Sequence, residues 1–249
     1  MSRRAVVLAG GTGTRLRPYT VVLPKPLMPL GEYPILEVIV RQLAIQGFDR
    51  ITMAVNHQAN LIRAFFGEGA QWGIAIDYSL ESTPLSTIGP LKLIADLPDQ
   101  FLLMNGDILT DLSFGGLFDQ HRTSNAAFTV SAARRHHTID YGVLKADDSG
   151  ALIGFDEKPS VDYLVSMGVY VMNRAVLETV PAGVPYGFDH LMKDLLARRQ
   201  RVNVLVHDGY WLDIGRPDDY MKAIDEFDQR KAHLLNDASR SSGCVTKPG

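Results

Sequence analysis

The chain has 249 residues, 46% apolar and 21% charged, an ordinary composition for a globular protein with a sizeable core. A net charge of −3 excludes a broadly basic surface for nucleic acid, yet allows a local phosphate site, which needs only a few aimed donors. The single cysteine, Cys244, excludes an internal disulfide and a cysteine-based metal site, and fits a reducing compartment.

Taken in chain order, Ala5 to Ala9 is a short apolar run stopped by Gly10 and Gly11, and reads as a buried strand followed by a tight loop. It is too short for a signal segment or a membrane span, so a cytoplasmic protein with no membrane partner is expected. Ile35, Val38, Ile39 and Leu43 have helical spacing within Pro34 to Gln46, and Gly47 closes that helix. Strands are expected at Arg50 to Val55, Ile74 to Tyr78 and Gln100 to Met104, with helices at Asn60 to Phe66 and Ile88 to Leu97. This alternation predicts an α/β fold: a mostly parallel sheet with helices on both faces, a three-layer α/β/α sandwich.

The pattern then changes. Ala127 to Ala133, Gly142 to Lys145, Ala151 to Glu157 and Val165 to Met172 read as strands joined by turns, an antiparallel extension of the sheet. Helices are expected at Arg174 to Val180 and Phe188 to Arg199, late strands at Val202 to His207 and Tyr210 to Ile214, and a last helix at Pro217 to Leu234. No internal repeat or dividing linker is visible. One domain is expected over 1–235, with a disordered tail over 236–249 whose composition is polar.

The chemistry begins at Leu8-Ala-Gly-Gly-Thr-Gly-Thr-Arg-Leu16. Gly10, Gly11 and Gly13 let backbone N–H groups approach an anion closely, Thr12 and Thr14 add hydroxyls, and Arg15 adds a planar cationic fork. Lys25 is stiffened between Pro24 and Pro26. A dinucleotide loop is the rival reading, but Arg15-Leu16 replaces the third glycine, Pro18 interrupts an immediate helix, and no acidic ribose partner stands at the right offset. The Walker pattern is absent. Asp107 ends one expected strand and Asp213 another. Two such carboxylates can converge on a hard cation such as Mg²⁺, although an isolated aspartate there is more often a turn or cap residue. Asp111 reads as a surface or turn residue, and Asp218 and Asp219 as caps of the last helix. Glu157 can accept hydrogen bonds from paired hydroxyls, Lys158 can neutralise a phosphate, and Gly142 would let a ring lie against the backbone. Trp211 and the methionines read as packing, and His136-His137 as a basic surface loop.

The ordered pattern Gly10-Gly-Thr-Gly-Thr-Arg-Leu-Arg-Pro18, Thr20, Pro24-Lys25-Pro26 and Pro29 resembles the signature of the sugar-1-phosphate nucleotidyltransferases, and the likeness runs from about Ala5 to Phe227. These include mannose-1-phosphate guanylyltransferases and glucose-1-phosphate thymidylyl-, uridylyl- and cytidylyltransferases. The resemblance implies the nucleotide-diphospho-sugar transferase fold and a reaction between a nucleoside triphosphate and a sugar 1-phosphate. It implies catalytic roles for Arg15, Lys25 and Asp107, and Mg²⁺ held by Asp107 and Asp213. Nucleotide contacts are implied for Leu8, Gly10, Gly11, Thr12, Gly13, Thr14, Arg15, Glu81, Pro84 and Gly89, and sugar-phosphate contacts for Gly142, Glu157, Lys158, Ser166 and Gly168.

Glu81-Ser-Thr-Pro-Leu-Ser-Thr-Ile-Gly89 is similar to a family segment that favours guanine or uracil, with Ser86 in place of glycine and Ile88 in place of alanine adding bulk near the base and ribose. In Val165-Ser-Met-Gly-Val-Tyr170, Ser166 and Met167 replace the usual Asn-Ala, which leaves room for a sugar other than mannose or glucose, including a heptose. The expectation is GTP with a mannose- or heptose-type 1-phosphate, in a homodimer or homotetramer, without the β-helix domain that some relatives carry. UTP-, CTP- or dTTP-dependent enzymes, a non-catalytic sugar or nucleotide binder, and an NAD(P)-dependent oxidoreductase are the alternatives.

Overall fold

The computed structural model describes residues 2–11, 13–56 and 58–235. Thr12, Cys244 and the tail expected over 236–249 lie outside the described residues.

The first half carries β1 (Arg4–Leu8), the two-residue strands β2 (Pro29–Leu30) and β3 (Tyr33–Pro34), α1 (Ile35–Ile45), β4 (Arg50–Val55), α2 (Ala59–Phe66), β5 (Ala75–Leu80), β6 (Gln100–Asn105) and β7 (Ile108–Thr110). The second half carries α3 (Phe114–Thr123), β8 (Phe128–Thr138), β9 (Val143–Ala146), β10 (Leu152–Asp156), β11 (Ser160–Asn173), α4 (Phe188–Ala197), β12 (Val202–His207), β13 (Trp211–Asp213) and α5 (Pro217–Leu234). Seven strands form the central sheet in the order β12-β8-β11-β6-β1-β4-β5. Every neighbouring pair is parallel except those made by β11, which runs against both β6 and β8. The expected antiparallel extension is therefore one reversed strand: β8 and β12 rejoin the direction of β1. The turn-linked pair β9 and β10 forms a separate antiparallel hairpin.

Alternation along the strands builds the three layers. Ala5 and Val7 point into an apolar cluster with Leu36, Ile39, Ile62, Phe66, Phe114 and Leu117, under α1, α2 and α3. Val6, Phe101 and Leu103 point to the opposite face, against Leu91, Val176, Leu191 and Leu195. A third cluster packs Tyr220, Ala223 and Phe227 of α5 on Leu16, Leu30, Ile35, Leu109 and Leu212. That last cluster anchors the short pair β7 and β13 to the glycine-rich end of the molecule.

Two helical expectations change. Only Gly89–Leu93 of the Ile88 to Leu97 segment is helical, as a 3-10 turn. Pro90 offers no N–H, while Ile88 N and Gly89 N donate to the Tyr186 carbonyl at 2.9 and 3.0 Å. Arg174–Thr179 is likewise a 3-10 turn. The sequence reading leaves α3 unassigned because Gly115 and Gly116 mask it. Its buried face is nonetheless periodic at Phe114, Leu117, Phe118 and His121, and Ser113 Oγ caps it by accepting from Gly116 N at 3.1 Å.

Candidate active site

A cleft of about 450 Å³ opens at the C-terminal ends of β1, β4, β5 and β6. The central strand β1 has β6 on one side and β4 on the other, so the chain departs in opposite directions there and leaves a crevice. Leu8, Gly10 and Gly11 line it from β1, Asn56 from β4, Glu81, Pro84, Ser86 and Thr87 from the segment after β5, and Asn105 to Asp107 from β6. The Asn56 side-chain amide donates to the Gly10 carbonyl, and Thr20 Oγ1 donates to the Gly13 carbonyl at 2.6 Å. These bonds consume two carbonyls of the glycine-rich loop and hold its backbone in place. Gly13 has φ +60° and leads into a 3-10 turn, Thr14–Leu16, pinned by buried Leu16. Thr14 and Arg15 are exposed beyond the cleft lining.

Lys25 also lines the cleft, from a 3-10 turn between buried Pro24 and Pro26. Its ammonium forms an ion pair with Asp107 Oδ2. Asp213 reaches the same place by strand pairing: β13 runs antiparallel to β7 with Asp213 opposite Ile108, and Ile214 N donates to the Asp107 carbonyl at 3.0 Å. Asp213 keeps surface open to water, yet its carboxyl is pushed above the ordinary range. The packed surroundings contribute most, then the negative charge of Asp107, while Lys25 and Arg15 oppose them and Asp219 adds to them. Asp107 Oδ1 is buried and has no hydrogen-bond partner among the described residues. An orphaned buried carboxylate oxygen beside a second, mutually repelling carboxylate is a donor set that suits a hard divalent cation.

Glu81 stands at the far wall. Its Oε2 accepts from Leu85 N at 3.3 Å, and burial raises its pKa against that hydrogen bond. Gly89 is buried, and its N–H is spent on Tyr186, so it shapes the loop.

The expected sugar-phosphate residues are less closely gathered. Gly168 and Met167 sit at an irregularity in β11, where Met167 is buried in the core and its carbonyl accepts from Trp211 Nε1 at 3.0 Å. Ser166 Oγ lies 2.9 Å from the Tyr170 hydroxyl. Gly142, Glu157 and Lys158 lie farther out, around the β9–β10 hairpin, and none of them lines the cleft. The ring against Gly142 is the protein's own: a Cβ there would stand 2.5 Å from the Phe155 ring and 3.2 Å from Glu157 Oε2.

Two further expectations are corrected. Asp111 is a hub, accepting from Tyr210 N at 2.8 Å and pairing with His207 Nε2 at 2.7 Å and His233 Nε2 at 3.5 Å. Asp218 and Asp219 lie inside the first turn of α5, which has no side-chain cap, so they act through the helix dipole. Trp211 packs, as expected, with the Arg135 guanidinium 4.6 Å from its ring. Sequence reasoning missed Asn56 and Asn105. The available signal was position, since each stands at the C-terminal end of a parallel strand, as Gly10 and Asp107 nearly do.

The family model described as nucleotidyl transferase matches residues 4–230. UTP–glucose-1-phosphate uridylyltransferase of Synechocystis sp. is 32% identical over 241 residues, covering 89% of this chain and 62% of that protein. Mannose-1-phosphate guanyltransferase of Yarrowia lipolytica is 32% identical over 227 residues, covering 88% of this chain and 62% of that protein. The chain thus spans less than two thirds of the length of these relatives. Among solved structures, HddC from Yersinia pseudotuberculosis complexed with GMP-PN has a TM-score of 0.67 at 25% identity, covering 90% of this chain and 99% of that one. The chain belongs to the sugar-1-phosphate nucleotidyltransferase family.

Proposed function

We propose that the protein transfers a nucleoside monophosphate from a nucleoside triphosphate to a sugar 1-phosphate. The observation that carries this reading is the meeting of Lys25, Asp107 and Asp213 at the mouth of a cleft floored by the glycine-rich loop. A phosphate oxygen of the sugar 1-phosphate attacks the α-phosphorus. A new P–O bond forms, the bond to the bridging oxygen breaks, and its electron pair leaves with pyrophosphate. The nucleophile is already an anion, so no covalent enzyme intermediate is needed; the protein must bring two anions together and hold them in line.

The loop amides around Gly10 and Gly11, with Thr12, Gly13, Thr14 and Arg15, would hold the triphosphate. Lys25 stabilises charge at the α-phosphate, and Asp107 aims that ammonium in the free enzyme. Asp107 and Asp213 would hold Mg²⁺, which when bound supplies charge neutralisation to the two phosphates. Glu157 and Lys158 would receive the sugar 1-phosphate, with Ser166 beside it.

GTP is the preferred nucleotide in this reading. One carboxylate, Glu81, can accept two parallel N–H groups from the guanine edge, whereas uracil and thymine offer a single N–H there. The relative named as a guanyltransferase and the GMP-PN complex of HddC support this choice, with a mannose- or heptose-type sugar. Pyrophosphate release is measured with purified protein, Mg²⁺, and a matrix of GTP, UTP, CTP and dTTP against sugar 1-phosphates. Turnover highest with GTP is expected; tight nucleotide binding without turnover on any pair would establish a non-catalytic binder instead.

A homodimer or homotetramer is supported by the hairpin region. Tyr141, Leu144, Leu152, Ile153, Phe155, Tyr163 and Leu164 are all more than half exposed. A lone two-stranded hairpin is marginal in water, and exposed apolar side chains concentrated there favour an interaction surface. No helix among the described residues is long and apolar enough to cross a membrane.

A further inference from the structure

Ser86 lies in the cleft wall with φ +67°, one of three non-glycine residues among those described with a positive φ. Serine is unfavourable there, because its Cβ crowds the backbone in a way that glycine avoids. The surroundings leave it no alternative. Leu85 is buried, its N–H is held by Glu81 Oε2, and its carbonyl accepts from Tyr186 N at 3.0 Å. On the other side, Ile88 N and Gly89 N both donate to the Tyr186 carbonyl. Ser86 is thus clamped between two anchored segments, the condition under which such backbone strain persists at functional sites.

The direction of the hydroxyl is informative. Ser86 Oγ lies 3.1 Å from the point that a Cβ on Gly187 would occupy, so it faces the start of α4 rather than the Glu81 end of the cleft. Phe188, the next residue, stacks on Tyr170 at 4.8 Å between ring centroids, and the Tyr170 hydroxyl meets Ser166 Oγ. Ser86 thus lines the nucleotide cleft with its hydroxyl against the start of α4, where the Phe188–Tyr170 ring pair leads on to Ser166 of β11. It is exposed and makes no hydrogen bond to the described residues.

We infer that Ser86 is a specificity-determining residue for the sugar 1-phosphate, its hydroxyl hydrogen-bonding a ring hydroxyl of that substrate. This inference rests on the nucleotidyltransferase reading above. It also reassigns Ser86 from the base and ribose, where the sequence alone places it, to the second substrate.

Two variants test it. Ser86→Ala removes the hydroxyl and keeps the unfavourable backbone; Ser86→Gly removes both. Steady-state KM is measured for mannose, glucose and heptose 1-phosphates at saturating triphosphate, and for the triphosphate at saturating sugar 1-phosphate, alongside Tm. Both variants are expected to raise KM for the sugar 1-phosphate about tenfold, the loss of one uncharged hydrogen bond, with KM for the triphosphate within about twofold. Ser86→Gly alone should raise Tm. Unchanged KM for the sugar 1-phosphate in both variants, or a change as large for the triphosphate, would overturn the assignment while an active wild type preserved the parent reading. A wild type inactive on every pair would remove both.

Discussion

Asp213 stands beside Asp107 because β13 pairs antiparallel with β7, placing Asp213 opposite Ile108 and Ile214 N on the Asp107 carbonyl. Two carboxylates separated by more than a hundred residues of chain are thereby held together by one short ladder, and burial, then the repulsion between them, raises the pKa of Asp213. The positive charge of Lys25 partly offsets this. The arrangement stores a preference for cations at the mouth of the cleft.

Asp107→Asn should cut turnover by a factor of about 100 to 1000, the scale on which loss of one aimed charged contact is felt in the transition state. The fold should persist, since Asp107 is not a core residue. Pyrophosphate release and circular dichroism check the two halves of this statement; near-normal turnover would show that Asp107 is not a ligand. Chelation of divalent cations should suppress wild-type turnover in the same assay, reversibly on adding Mg²⁺.

Glu81→Gln should weaken discrimination for GTP. An amide presents one acceptor and one donor where the carboxylate presents two acceptors. The ratio of kcat/KM for GTP over UTP is expected to fall about 5- to 150-fold, corresponding to the about 1–3 kcal/mol worth of a bidentate base contact. An unchanged ratio would place base recognition elsewhere.

Gly168→Ala should destabilise the protein. Gly168 has φ +76°, and an added Cβ would stand 2.7 Å from Asn105 Nδ2 and from Ile108 Cδ1. The left-handed backbone alone costs about 1–2 kcal/mol for a residue with a side chain, and displacement of Asn105 disturbs the cleft wall. A drop in Tm together with weaker nucleotide binding is expected.

His121 makes stability pH-dependent. It is 1% exposed, with Nδ1 against Thr129 Oγ1 at 2.8 Å and Nε2 against Asn173 Oδ1 at 3.1 Å. Burial lowers its pKa below 6.5, partly countered by Asn173. The folded state therefore holds the neutral ring, and the unfolded chain binds the extra proton first. The His121 contribution is complete above the unfolded value of 6.5 and is lost as pH falls below it toward the folded value. Thermal melts from pH 7.5 to 5 should show this decline, and His121→Gln should flatten it.

The hairpin should govern association. Leu144 and Phe155 face each other across β9 and β10 and are 66% and 56% exposed. Sedimentation velocity should show an oligomer that Leu144→Glu with Phe155→Glu converts toward monomer. An oligomer unaffected by the pair would move the interface elsewhere.

Much of the fold was legible because its signals are local. The apolar alternation of β1 and β6, the helical spacing of α1 and the Pro217 to Leu234 helix all declare themselves within a dozen or so residues. α3 was not legible, because Gly115 and Gly116 lower helix propensity and only packing against β6, β8 and β11 repays that cost. The single reversal at β11 was blurred for a different reason. Strand direction depends on where the chain returns, which apolar patterning does not encode.

By itself, the sequence determined the chemical kinds present: a glycine-rich loop with an adjoining cation, carboxylates at strand ends, and a family signature. The tertiary structure decided which of them meet. Lys25 joins Asp107, Asp213 arrives on β13, and Asn56 and Asn105 enter the cleft, whereas Gly142 and Glu157 sit with Phe155 at the hairpin. The physical reason is that local propensity acts over a few residues, while a site is made by sheet order and register, which bring together side chains from β1, β4, β5, β6 and β13 through contacts far apart in the chain.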